Sequence, residues 1–442
     1  MLKEVMTLKF DNNFEENYQE IIEDMYKIYL YCIDSNNVKK FQTINNKYTT
    51  TDMTMIAAYI FLELAKREKI SKKEITQVIG NAFVKNLINY STGNFEVDIK
   101  DNTQIKIYDK VKENVCIEKI KYLNRILRKL KIKIEEIKNP KVTEIFIYSQ
   151  QISEIFILIQ VYLNGNEFAY EKIIEKVKKL KIEKSNLNDM NKLFDEILTE
   201  IDNKKNILKI LKRNNIYNLI SVIFNLRDVY RFSQVNLIVP ENVLFHTYVN
   251  SVMAYIMCDY LNNFGENIDE YDVITKILFH DFSEYSGNEI ISSMKIYSQE
   301  THNLFEKIES EDEESLNDLI GKENYDIVKS YKDGFSGYVS EIIDKISGIM
   351  KILIEVKYYN NLTLLKVFSA NECKRFEKFY NYEKIEDSKN RYFYTNLLKL
   401  HYIYIIENFL KKEDVMTTYF NKFEIDDIRK SIEREKERIY KY

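Results

Sequence analysis

Apolar residues recur along most of this chain at intervals of three and four, the spacing that places them on one face of an α-helix. In IDEYDVITKILFHDF, Ile268, Tyr271, Ile274, Ile277 and Leu278 form such a stripe, leaving Asp269, Glu270 and Lys276 for the wet side. Val249, Val252, Met253, Ile256 and Tyr260 form another, on a helix beginning near His246. Ile342, Ile346, Ile349, Leu353 and Val356 form a third around Asp344. Strict alternation of apolar and polar residues is rare, and 2 prolines and 9 glycines among 442 residues give little of the punctuation a β-rich chain needs. The pattern predicts an all-α protein.

Length and composition narrow the picture. A chain of 442 residues exceeds one ordinary core and favours two or three domains. A hydrophobic share of 45% beside 30% charged residues argues against extended disorder. A net charge of −4 gives no basic surface of the kind a phosphate backbone demands, so no stable nucleic-acid partner is predicted. Cys32, Cys116, Cys258 and Cys373 are scattered without a CxxC pair, which predicts reduced thiols in a cytoplasmic protein. The first twenty residues carry charges where a secretion signal needs an apolar run. The most apolar segment, Ile155 to Leu163, is too short to span a bilayer, so no membrane association is expected.

Candidate chemistry concentrates on His280-Asp281. Only 4 histidines occur, and His246 upstream with Asp344 downstream completes a set of two imidazoles and two carboxylates, each delivered by one of the three amphipathic helices. That mixture suits Zn, Mn, Fe, Co or Ni better than Ca or Mg. Neighbouring helical residues diverge by about 100°, so His280 and Asp281 reach one ion only from a helix flank in a cleft. No GxxxxGK[ST], GxGxxG or GxSxG motif appears, which leaves NTPase, Rossmann and α/β-hydrolase readings without their signatures. His302 and His401 lie in ordinary polar or aromatic surroundings and read as structural or surface residues.

Beyond the ligand set, RFSQVNLIVPENVLFHTY, FHDFSE and IIDKISGIMK resemble the HD-domain phosphohydrolase superfamily, and within it the bacterial 5'-deoxynucleotidases of the YfbR type. The matching positions are Arg231, Phe232, Glu241-Asn242-Val243, His246, His280-Asp281, Glu284 and Asp344, and the likeness covers about Arg213 to Leu400. The resemblance implies that His246, His280, Asp281 and Asp344 hold one divalent transition metal ion. It further implies that Glu284 orients or deprotonates the attacking water and that Arg231 meets the phosphate or sugar of a nucleotide. Phe232 stands where the family has Trp, in a chain with none, and keeps an apolar wall without an indole donor. Asn288 or Glu289 falls on a family Asp that contacts substrate, which leaves the choice between ribose and deoxyribose open.

The first half of the chain parallels the second at an offset of about 196 residues, aligning Ala58-Tyr59-Ile60 with Ala254-Tyr255-Ile256 and Glu144-Ile145 with Glu341-Ile342. At that offset His246 falls on Thr49 or Thr50, His280-Asp281 on Val84-Lys85, and Asp344 on Ile147, so the first copy is expected to bind no metal. The predicted organisation is two HD-like helical bundles in tandem: a degenerate one over 1–206, a phosphohydrolase over 207–405, and a charged helical extension over 406–442. Lys181 to Asn206 is the expected connection. Such a chain would be a monomer with an internal pseudo-dimer, or a homodimer. The leading activity is hydrolysis of (deoxy)nucleoside 5'-monophosphates. The alternatives are a phosphodiesterase acting on cyclic or linear oligonucleotides and a nucleotide-binding regulator whose HD site does not turn over.

Overall fold

The computed structural model describes residues 12–37, 39–42, 47–89, 137–182, 188–232, 236–263, 267–286 and 298–359, together with isolated positions at 121, 125–126, 361 and between 426 and 437. Asn288, Glu289, His401 and nearly all of 406–442 lie outside the described residues, as does the side chain of His302. The described chain is all-α apart from one short hairpin. In order the helices are α1 (Asn12–Asn36), α2 (Thr50–Arg67), α3 (Lys72–Asn89), α4 (Pro140–Leu163), α5 (Ala169–Ile182), α6 (Asn188–Glu200) and α7 (Lys204–Leu211). They continue with α8 (Asn215–Asp228), α9 (Val243–Asn263), α10 (Glu270–Phe279), α11 (Gln299–Ile320), α12 (Lys322–Lys329) and α13 (Gly334–Tyr359). The strands β1 (Lys39–Gln42) and β2 (Lys47–Thr49) pair antiparallel between α1 and α2.

Local chemistry sets several boundaries. Thr49 and Asp52 form a reciprocal capping box at the start of α2, satisfying two donors that a helix N-terminus leaves free. Asn139 caps α4 ahead of Pro140, whose missing N–H costs nothing in the first turn. Asp269 caps α10 through the Asp272 amide, and Ser298 caps α11 through that of Thr301.

The two halves share one core. A single buried cluster runs from Met25 through Tyr59, Phe156, Tyr248 and Phe279 to Ile354. At its centre α2 and α3 pack against α9, and α3 packs against α10. In the first half α2 lies on α1, α3 and α4; in the second, α9 lies on α8, α10 and α13. Cross-contacts run in both directions: α1 touches α9 and α8 touches α2. Tyr59 of α2 donates its hydroxyl to the Leu278 carbonyl of α10. Tyr255 of α9 lies over Gly80 of α3, where an added Cβ would fall 2.2 Å from the ring. Glycine is required at that crossing because any side chain would occupy the space of the ring.

Two expectations need correction. Ile155 to Leu163 is the end of a helix of 24 residues, long and apolar enough to cross a membrane. Burial of Ile152, Ile155, Phe156 and Ile159 beside α2 makes it a core helix of this fold. Lys276 is buried, not on the wet side, because its ammonium donates to the Asp333 carbonyl at 2.6 Å and pairs with Asp272 at 3.5 Å. The segment expected as a connection carries α6, whose Met190, Leu193, Phe194 and Ile197 are buried.

Candidate metal centre

His246 is placed by the turn that precedes it. The Asn242 side chain accepts the Phe245 amide at 2.7 Å and its carbonyl accepts that of His246 at 3.0 Å, so Asn242 caps α9 and sets the imidazole in its first turn. The approach is held by backbone pairing, with the Arg231 amide donating to the Glu241 carbonyl at 2.8 Å and that of Val243 to the Val229 carbonyl at 2.9 Å. His280 follows α10 directly and donates Nδ1–H to the Ile277 carbonyl at 2.6 Å. That bond fixes the tautomer and turns Nε2 inward. Asp344 arrives on α13, with Oδ1 2.7 Å from His246 Nε2 and 3.8 Å from His280 Nε2. Asp281 brings Oδ2 to 3.0 Å from His280 Nε2 and 4.0 Å from His246 Nε2.

The four residues singled out from the sequence therefore converge. Ligand atoms of His246, His280 and Asp344 all lie within 4.8 Å of one another, the one such group among the described residues. Ligands 2.0–2.2 Å from a tetrahedral ion stand roughly 3.4 Å apart. The distances here bracket that value, so the set fits one ion with small side-chain adjustment. Both histidines are buried, and the two aspartates are mostly so.

Charge is unevenly tuned around this point. Burial opposes the imidazolium of His280, but the Asp281 and Asp344 carboxylates raise its pKa to about 10. Burial disfavours the Asp281 carboxylate, yet His280 holds its pKa below the ordinary value. Asp344 is likewise opposed by burial and held well below the usual range by Lys345, His246 and His280. A divalent ion at this point would neutralise these carboxylates in place of the His280 charge.

Arg231 and Glu241 form the next layer. Glu241 is fully buried, accepts from Arg231 Nη1 at 3.1 Å through Oε1, and accepts the Tyr29 hydroxyl at 2.7 Å through Oε2. Its Oε1 also faces His246 Nδ1 at 3.3 Å, off the line of a good hydrogen bond. Burial favours the neutral acid, but His246 and Arg231 bring the Glu241 pKa down to about 2. Burial works against the Arg231 charge, and Glu241, Asp344, Asp281 and Glu284 together raise its pKa above the ordinary value. Phe232 lies against the Arg231 guanidinium, 5.5 Å from ring centre to Cζ, with a left-handed φ of 56° that non-glycine residues rarely adopt. Glu284 sits on a 3₁₀ turn, Phe282–Ser286, which closes on Asp281 through its amide.

Three neighbours were not singled out from the sequence. Lys345 holds its ammonium 3.4 Å from Asp344 Oδ2. Asn250 follows His246 by one turn and touches three ligand side chains. A polar residue between Val249 and Val252 on a buried stripe was a readable signal for it. Tyr29 is 212 residues from Glu241, and no local pattern connects them. At the positions paired with the ligands in the first half, Thr49 caps α2, Thr50 and Val84 are buried, and Lys85 and Ile147 are exposed. They supply no comparable donor set.

Residues 218–400 match the family model of YfbR-like proteins, described as 5'-deoxynucleotidase YfbR-like. No curated protein and no solved structure matches the chain.

Proposed function

We propose, from the family match and the converging ligands, that the second half of the chain is a metal-dependent phosphohydrolase that cleaves nucleoside 5'-monophosphates to nucleoside and phosphate. The observation that carries the reading is the convergence of His246, His280, Asp281 and Asp344, side chains from separate elements, on one point beside an arginine. A bound divalent ion would act there as a Lewis acid and acidify a coordinated water.

The protein's own groups supply the rest. His280 presents Nε2 inward because Nδ1–H is committed to Ile277. Arg231 spends one N–H on Glu241 and retains other donors of its fork for phosphate oxygens. Its charge also offsets that of the dianion. Glu284, close enough for its charge to act on Arg231, is the group assigned to take the water proton. Phe232 provides an apolar wall for base or sugar. Burial of the imidazoles keeps bulk water from the reacting atoms and strengthens each of these interactions.

The first half is proposed to be a metal-free copy of the second that serves as its scaffold. Supporting this are the parallel order of α1–α4 and α8, α9, α10 and α13, and the paired crossings Tyr59 on α10 and Tyr255 on α3. Such two-way contacts are what a pseudo-two-fold interface produces.

Glu284→Gln tests the catalytic assignment. Metal content should be unchanged while phosphate release from nucleoside monophosphates falls by about a hundredfold or more, within the range for a general base. Unchanged release would remove Glu284 from the mechanism.

A further inference from the structure

Asn250 is fully buried on α9. Its Nδ2 lies 2.9 Å from His246 Nε2, 3.3 Å from Asp344 Oδ1 and 3.4 Å from His280 Nε2. One amide nitrogen thus contacts all three atoms of the converging group. Its Oδ1 has no hydrogen-bond partner among the described residues. Turning a side-chain amide over exchanges nitrogen and oxygen with almost no change of shape, and the surrounding charges decide which end faces where.

The N–H end suits this position because it donates to the Asp344 carboxylate at 3.3 Å. A cation reverses the preference. Both imidazoles and both carboxylates would aim lone pairs at the ion, and N–H hydrogens directed at the same point would be repelled. The amide oxygen, by contrast, is an ordinary ligand for divalent ions.

We propose that Asn250 is a further ligand of this centre, coordinating the ion through Oδ1 once its amide has turned over. The inference rests on the metal-centre reading and deepens it. A fifth ligand, a neutral oxygen, raises the coordination number beyond the tetrahedral arrangement Zn favours and suits Mn or Fe. The rival role for Asn250 is that of a donor that keeps Nδ2 on Asp344.

Two variants of the full chain separate these roles. Asn250→Asp keeps the oxygen and removes the donor, whereas Asn250→Leu keeps the volume and removes both. Binding of Mn²⁺ is measured by titration calorimetry, and the Co²⁺ form by visible absorption. Ligation predicts that Asn250→Asp binds Mn²⁺ at least as tightly as the parent. Asn250→Leu should then bind more than about tenfold more weakly, with a stronger Co²⁺ band as the coordination number drops. If Asn250→Asp weakens binding as much as Asn250→Leu does, Asn250 is a donor and the proposal fails. It fails also if Asn250→Leu leaves affinity and spectrum unchanged. Should Asn250→Leu not fold, the Asn250→Asp affinity decides alone. A chain that binds metal in this way yet hydrolyses no monophosphate would overturn the phosphohydrolase reading and leave Asn250 as a ligand.

Discussion

Tyr29→Phe removes one hydroxyl from the first half of the chain and tests whether that half supports the proposed metal centre in the second. The hydroxyl donates to Glu241 Oε2 at 2.7 Å, and the acceptor is fully buried and ionised. Glu241 Oε1 is already shared between Arg231 at 3.1 Å and His246 Nδ1 at 3.3 Å, so neither can replace the lost donor without leaving its own place. A hydrogen bond to a charged group contributes about 1.5–3 kcal/mol, and deleting it leaves a buried oxygen unsatisfied. The loss should therefore reach at least about 1.5 kcal/mol in urea unfolding at neutral pH. Because the Glu241 carboxylate lies between Arg231 and His246 and would shift when its Tyr29 donor is lost, Mn²⁺ affinity should fall as well, by about tenfold. Tyr59→Phe is the control: it loses a bond to the neutral Leu278 carbonyl at the same junction, for about 0.5–1.5 kcal/mol and no change in metal affinity. A Tyr29→Phe protein as stable as the parent, with the same metal affinity, would refute the reasoning.

Other perturbations follow from the same contacts. Gly80→Ala should destabilise by about 1–3 kcal/mol, read as a lowered thermal midpoint, because the new methyl meets the buried Tyr255 ring. Lys351→Met should cost about 1–3 kcal/mol in denaturant unfolding, since it removes the donor shared by the Glu355 carboxylate and the Val239 carbonyl, while Glu355 keeps the Ile238 and Val239 amides and the Asn361 side chain. The Glu241 carboxyl, lowered from 4.5 to about 2 on folding, contributes stability that is fully present above pH 4.5. That contribution, on the order of 3 kcal/mol, is lost as pH falls through about 2. Acid unfolding of the metal-free protein should accordingly move to higher pH in Tyr29→Phe.

The helical class was legible because each element buries a stripe, and the stripe is written in the spacing of residues such as Ile274, Ile277 and Leu278. The three elements that carry His246, His280 and Asp344 could be placed for the same reason. Lys276 was misjudged because a charge read as solvated is buried when a carbonyl, here that of Asp333, receives its ammonium. The length of α4 was underread because Tyr148, Ser149, Gln151 and Ser153 interrupt its apolar run although the helix continues through them. Tyr29 and the Tyr255–Gly80 crossing were out of reach, since contacts between residues far apart in sequence leave no periodic trace. Glu241 was recognised as part of a motif. Only the structure shows that it joins Arg231, His246 and Tyr29.

The central claim is that His246, His280, Asp281 and Asp344 form the metal centre of a phosphohydrolase. Its most direct test is phosphate release from a panel of ribo- and deoxynucleoside monophosphates with Mn, Co, Ni, Zn or Mg, run beside Asp344→Ala. The account predicts turnover of at least one monophosphate with a transition metal and its loss, together with metal binding, in the variant. Turnover that survives in Asp344→Ala, or a wild-type protein that holds metal and releases phosphate from none of them, would contradict it.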